Sequence, residues 1–233
     1  AADAFEEFVK TFPNHEKVPQ ALATATRYRE LLGDYDKVVE DGELFLSTFS
    51  KDERAAAVAY NVTVQYVNKG DWEGVIRASD KFLKRSDKIP MELRLAAMVN
   101  TGTAQFKLAK KGDKGKKLFD DVLKIATELA NNKQLAELPQ IGRDAIAQTL
   151  FMLGEIEFDK VKAIKGKPKK LDDATKLVTD KVTKAKVADG FYTQAEETKN
   201  PRWVAAAASR RGRIYQDIGL SIRDLPPPDS FKG

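Results

Sequence analysis

Apolar residues along this chain recur at steps of three and four. In ALATATRYRELLG the stripe is Leu22, Ala25, Tyr28 and Leu32. In AVAYNVTVQYVNKG it is Val58, Val62, Tyr66 and Val67. That spacing puts the residues on one face of an α-helix. Each stripe stops at a glycine, and the same punctuation follows: GDYDKVV from Gly33 and GDWEGVI from Gly70, 37 residues apart. Glycine ends a helix because it takes the left-handed conformation without a Cβ clash. The Asp that follows is suited to cap the next helix by accepting a backbone N–H. The aromatic and Val that come next open a second apolar stripe. The motif therefore marks a tight turn between two antiparallel helices, and it recurs because the hairpin recurs. Phe12 and Phe49 share the spacing of 37, as do Phe45 and Phe82, and a weaker third copy is Gly112-Asp113.

The periodicity predicts helices at 3–11, 17–32, 35–49, 52–69, 72–86, 90–110, 115–130, 138–164, 170–198 and 201–222. Pro13, Pro19, Pro90 and Pro139 fall near helix starts or between helices, where a missing N–H is tolerated. Alternating apolar and polar runs of the kind that make strands are lacking. The expected fold is all-α, a superhelical solenoid of antiparallel helix pairs. Residues 1–130 carry the clear repeats. Residues 131–233 read as divergent helical repeats of the same array, with a Lys-rich break at 165–170. Tyr28, Tyr66, Trp72, Phe82 and Phe106 are expected in the core between helices.

Composition narrows the picture. The chain has 233 residues, 42% hydrophobic and 32% charged, enough for a buried core. No apolar run approaches the ~18 residues of a membrane-crossing helix. The chain opens AADAFEEF without Met, which reads as a processed or excised piece. Its first helix reads as the second of a pair, so a further helix is expected upstream. The net charge of +5 is uneven. Lys160 to Lys186 holds ten Lys, no Arg and three Asp, a net +7 that leaves the rest of the chain at −2. Such a segment is either a solvated helix face with a Lys-rich loop or an attractor of nucleic acid or anionic lipid. Against nucleic acid, it has no aromatic residue for stacking and no Arg for bidentate base contacts.

Little in the chain suggests bond chemistry. Cysteine is absent, which excludes disulfides, thiolate nucleophiles and Cys-based metal sites. His15, in PNHEK, is the single His and reads as an exposed loop residue. Glu6-Glu7, Asp120-Asp121, Asp172-Asp173 and Glu196-Glu197 are neighbours that point about 100° apart on a helix, which suits solvated faces. GDKGKK, from Gly112 to Lys117, lacks the spacing of a phosphate loop and reads as a helix–helix turn. Asn61-Val62-Thr63 matches a glycosylation sequon by chance, in the middle of a helix. No catalytic residue, metal site or cofactor is expected, and the chain is read as a non-enzyme.

The repeated pattern resembles the tetratricopeptide repeat (TPR), a helix–turn–helix unit. Asn61, Tyr66, Gly70, Asp71 and Trp72 occupy the expected slots. The copy at Gly33 departs from it, with Tyr28 one residue further from its glycine, and Val38 and Val75 stand where alanine is usual. FVKTFP and its Pro-containing link resemble bacterial envelope TPR proteins of the outer-membrane-assembly lipoprotein and Tol–Pal accessory kind. NPRWVAAAASRRGRIYQDIGLSIRDLPPP, with the preceding LGEIEFDKVKAIKGKPKK, resembles the TPR lipoproteins of myxobacterial adventurous gliding motility. The residues that carry this are Pro201, Trp203, Arg210, Gly212, Tyr215 and Pro226 to Pro228. Trp203 reads as an anchor for the last helix or as a binding residue. These resemblances imply a protein-interaction scaffold of a periplasmic or outer-membrane-associated complex, with a cytoplasmic setting as the alternative. Its partners would be envelope proteins, with a lipid anchor outside this chain. By the TPR register, first helices line a concave groove. Arg27, Asn61 and Gln65 are then the candidate partner-binding residues, suited to hold a peptide by charge-assisted and amide hydrogen bonds.

Overall fold

A computed structural model describes residues 1–85, 89–109, 113–166, 168, 170–223 and 225. Gly112, Lys167, Lys169 and Pro226 to Pro228 lie outside the described residues. The described residues form ten α-helices, one short 3-10 turn and no strand. The helices are α1 (Ala2–Thr11), α2 (Val18–Leu31), α3 (Tyr35–Thr48), α4 (Ala55–Lys69) and α5 (Trp72–Leu83). They continue with α6 (Met91–Leu108), α7 (Lys116–Asn131), α8 (Gln140–Ala163), α9 (Leu171–Glu197) and α10 (Pro201–Arg223). All ten expected helices are present. The largest shift at a start is in α4. There the Asp52 carboxylate accepts the Arg54 backbone N–H at 2.9 Å and holds the chain in a turn before Ala55.

The repeated turn has the expected geometry twice. Gly33 and Gly70 are left-handed, with φ of 71° and 69°. Asp34 accepts the Lys37 N–H at 3.4 Å, and Asp71 accepts the Gly74 N–H at 2.8 Å. Gly115, just before α7, is also left-handed.

The chain forms two compact units, Ala1–Leu108 and Ala109–Gly233. In the first, each helix from α1 to α6 packs on the next. Phe45 sits in a cluster with Leu22, Ala55 and Val58. Phe82 sits in another with Ala56, Ala59, Ile89 and Ala97. Both rings are almost fully buried. Two residues 37 apart thus occupy equivalent centres, and burial of one such ring is worth about 2–3 kcal/mol. In the second unit, α8 packs against α7, α9 and α10. Ala147, Leu150, Met152, Leu153, Ile156 and Val161 are accordingly buried on several of its sides.

Tyr28 departs from expectation. Its side chain is 41% exposed and only stacks on Phe5, with ring centroids 6.0 Å apart. One residue of helix is a turn of about 100°, so the offset from Gly33 swings Tyr28 out of the core. Arg29 takes the place that Tyr66 has in the next copy. The reason lies across the turn. A Cβ on Gly74 would stand 2.3 Å from the Tyr66 ring, so glycine makes room for the aromatic. The first copy has Lys37 at that position. Arg29 donates to Glu6 at 2.7 and 3.0 Å and to Asp3 at 2.5 Å, tying α2 to α1.

Candidate functional site

Of the three residues expected to hold a partner, two reach the surface and one is enclosed. Arg27 is exposed on α2, and Asn61 is half-buried on α4. Gln65 is 0% exposed. Its amide donates to Asn61 Oδ1 at 2.6 Å and accepts from Asn68 Nδ2 at 3.2 Å. A buried amide needs such partners. Gln65 therefore contributes a polar ladder within α4 and has no surface to offer a peptide.

The helix packing builds a different groove in the first unit, about 450 Å³ in volume, from α3, α4 and α5. Val62 and Tyr66 of α4 face it beside Leu46 of α3, with Glu43 on one side and Arg77 and Lys81 on the other. Local sequence explains each wall. Gly42 brings α3 close to α4, since a Cβ there would stand 2.5 Å from Val62 Cγ2. Gly74 seats the Tyr66 ring. Burial, then the charge of Glu43, raises the Tyr66 phenol above its usual range, so it stays a hydrogen-bond donor at neutral pH. Arg77 and Lys81 lie four apart on α5 and share a face. Arg77 reaches Asp71 only at 3.9 Å and is 66% exposed. Lys81 has no ion-pair partner among the described residues. Arg85, one turn on, donates to the Ser50 carbonyl at 2.9 Å and closes the end of the groove. The groove lies between the second helices of two pairs. The cations at 77 and 81 in a helix with apolar Ala78 and Phe82 were its signal in the sequence.

In the second unit, the basic segment is partly engaged. Lys181 is 5% exposed, donates to Ser221 Oγ at 2.5 Å and lies 2.7 Å from Asp217 Oδ2. Asp217 Oδ2 is buried and has no hydrogen-bond partner among the described residues, so the second contact is an ion pair. Lys160 pairs with Glu157 at 2.9 Å and Asp113 at 3.4 Å, and Lys162 with Asp159 at 2.5 Å. Lys165, Lys170, Lys176, Lys184 and Lys186 are exposed.

Trp203 anchors the start of α10. It is 8% exposed, 5.2 Å from the Phe151 ring, and its N–H is capped by Asn200 Oδ1 at 3.4 Å. Tyr215 is 61% exposed, and Gly212 has open space around its Cα. His15 is exposed; its Nδ1 accepts the Lys17 N–H at 3.1 Å and its ring edge meets Phe8. Three carboxylates of the adjacent acidic pairs have basic partners: Glu6 with Arg29, Asp120 with Lys116 and Glu196 with Arg211. Among the described residues, no three His, Cys, Asp or Glu side chains cluster as a metal site would need. No helix among them is long and apolar enough to cross a membrane. No protein-family model matches the chain, and no curated protein matches it either.

Proposed function

We propose that this chain is a non-catalytic protein-interaction scaffold of TPR-like helix pairs in a bacterial cell-envelope complex. The observation that carries the interaction role is the α3–α4–α5 groove. It is preformed, apolar at its floor and cationic along one wall. Its volume falls in the range of small-ligand and side-chain pockets, and an anchor side chain seated there would be desolvated. The two turns with left-handed Gly and capping Asp support the TPR-like reading, since identical local chemistry closes both hairpins. The envelope setting rests on the resemblance of FVKTFP and of residues 139–228.

The test is affinity capture from bacterial envelope extract, followed by titration of the purified partner against three forms of the chain. Tyr66→Ala combined with Lys81→Glu is expected to weaken binding at least tenfold, about 1.4 kcal/mol or more. Arg27→Ala is expected to leave it unchanged. Equal affinity for wild type and the double variant, with both folded by circular dichroism, would remove the groove from the account.

A further inference from the structure

The second unit has a groove of its own, about 390 Å³, between α8 and α10. Phe158 and Lys162 line it from α8, and Arg210, Arg213 and Leu220 from α10. Arg210 is held rigidly. Its Nε and Nη2 donate to the two oxygens of Glu155 at 2.6 and 3.0 Å. Glu155 also accepts the Tyr192 hydroxyl at 2.6 Å. Tyr192 is fully buried, and Gly154 leaves space for its ring. Burial, then the charge of Glu155, keeps that phenol protonated well above its usual range. A buried, satisfied network therefore fixes one edge of the guanidinium, while Nη1 has no hydrogen-bond partner among the described residues. Arg213, nearly one turn on, is exposed and has no ion-pair partner among them. Lys162 lies on α8 with its ammonium 4.9 Å from the Phe158 ring centroid and pairs with Asp159 beside it. The one carboxylate lining the groove, Asp217, already faces buried Lys181.

From this geometry we infer that the α8–α10 groove is a second docking site, which takes an acidic protein segment. A carboxylate of the segment meets Arg210 and Arg213, and a neighbouring apolar side chain lies on Leu220, which is 40% exposed. Charge complementarity selects the acid. The recess selects a peptide over a flat anionic membrane, because its floor at Phe158 is 6% exposed and out of reach of a flat headgroup layer. Nucleic acid is a poorer fit, since Phe158 is 6% exposed beneath Lys162 and offers no free ring face to a base. The site is independent of the α3–α4–α5 groove.

Fluorescence anisotropy of a labelled short peptide alternating Glu and Leu, titrated with the full chain, tests the inference. Arg213→Glu, an exposed change that leaves the core intact, is expected to weaken binding at least tenfold. Tyr192→Phe removes one support of Glu155 and is expected to weaken it about threefold with unchanged salt dependence, because it alters positioning and no charge. Lys81→Glu is expected to have no effect. Four outcomes would overturn the inference. One is equal affinity for wild type and Arg213→Glu. A second is equal affinity for a peptide alternating Lys and Leu. A third is loss of binding through Lys81→Glu alone, which would assign the peptide to the first unit. The last is retention on phosphatidylglycerol vesicles through Arg213 while the acidic peptide stays free.

Discussion

Asp41 on α3 shows how a single residue sets a pH response. It is 6% exposed, and its Oδ2 is buried without a hydrogen-bond partner. Burial, then Glu6 and Glu40, raise its carboxyl to about 6, while Arg29 and Lys37 pull the other way. The folded value lies above the unfolded one. Its contribution to stability is therefore full below the ordinary carboxylate range and is lost as pH rises through about 6. Asp41→Asn is expected to remove that loss and raise stability at pH 7.5 by about 1–2 kcal/mol. At pH 4 the gain is expected to vanish. Urea unfolding at both pH values checks this, and an equal gain at both would mean that the carboxylate charge is not the cause. Nothing near Asp41 in the sequence separates it from an exposed Asp. Its burial comes from the helices packed on α3. Arg29 was equally hidden, because its role depends on Glu6 and Asp3 from another helix.

Among the elements, the turn motif and the α8–α9 contact differ in kind. The turn is local, and its cap strengths are ranked by geometry. The Asp71 cap at 2.8 Å is tighter than the Asp34 cap at 3.4 Å. Asp71→Ala is expected to cost about 1 kcal/mol and Asp34→Ala less; urea midpoints of the two variants decide the order. The contact of α8 with α9 depends on one missing side chain. A Cβ on Gly154 would stand 2.5 Å from Cε1 of the buried Tyr192 ring. Gly154→Ala is expected to cost about 1–3 kcal/mol by overpacking, despite the better helix propensity of alanine. A raised melting temperature in that variant would show that the ring moves aside freely. The cap was legible because Gly and Asp act within a few residues of themselves. Gly154 reads in the sequence only as a weak point in a helix, since Tyr192 lies 38 residues away.

For the molecule as a whole, the question is how the basic segment meets polyanions. Ten free lysines on one duplex would give a salt slope of about −9. Lys160, Lys162 and Lys181 are paired with carboxylates of the protein. The expected slope of log affinity against log salt is therefore about −6 or shallower, with binding lost near physiological salt. Titration of duplex DNA at several salt concentrations measures it. A steeper slope would show that the internal pairs open on binding. In the sequence, Lys181 is indistinguishable from Lys184. Only the packing of α9 on α10 sets Lys181 against Asp217 and Ser221.

The sequence by itself determined the helices and the repeated turn. Periodicity, glycine's left-handed backbone and side-chain capping all act over a single turn of chain. Tertiary structure decided which helix faces became core, ladder or groove. Tyr66 found a seat because Gly74 on α5 left room for its ring, and Gln65 turned inward because the helices around α4 enclosed its amide. The two grooves arose the same way. Each joins side chains of different helices whose separation along the chain carries no local signal, so their chemistry exists only once the helices have packed.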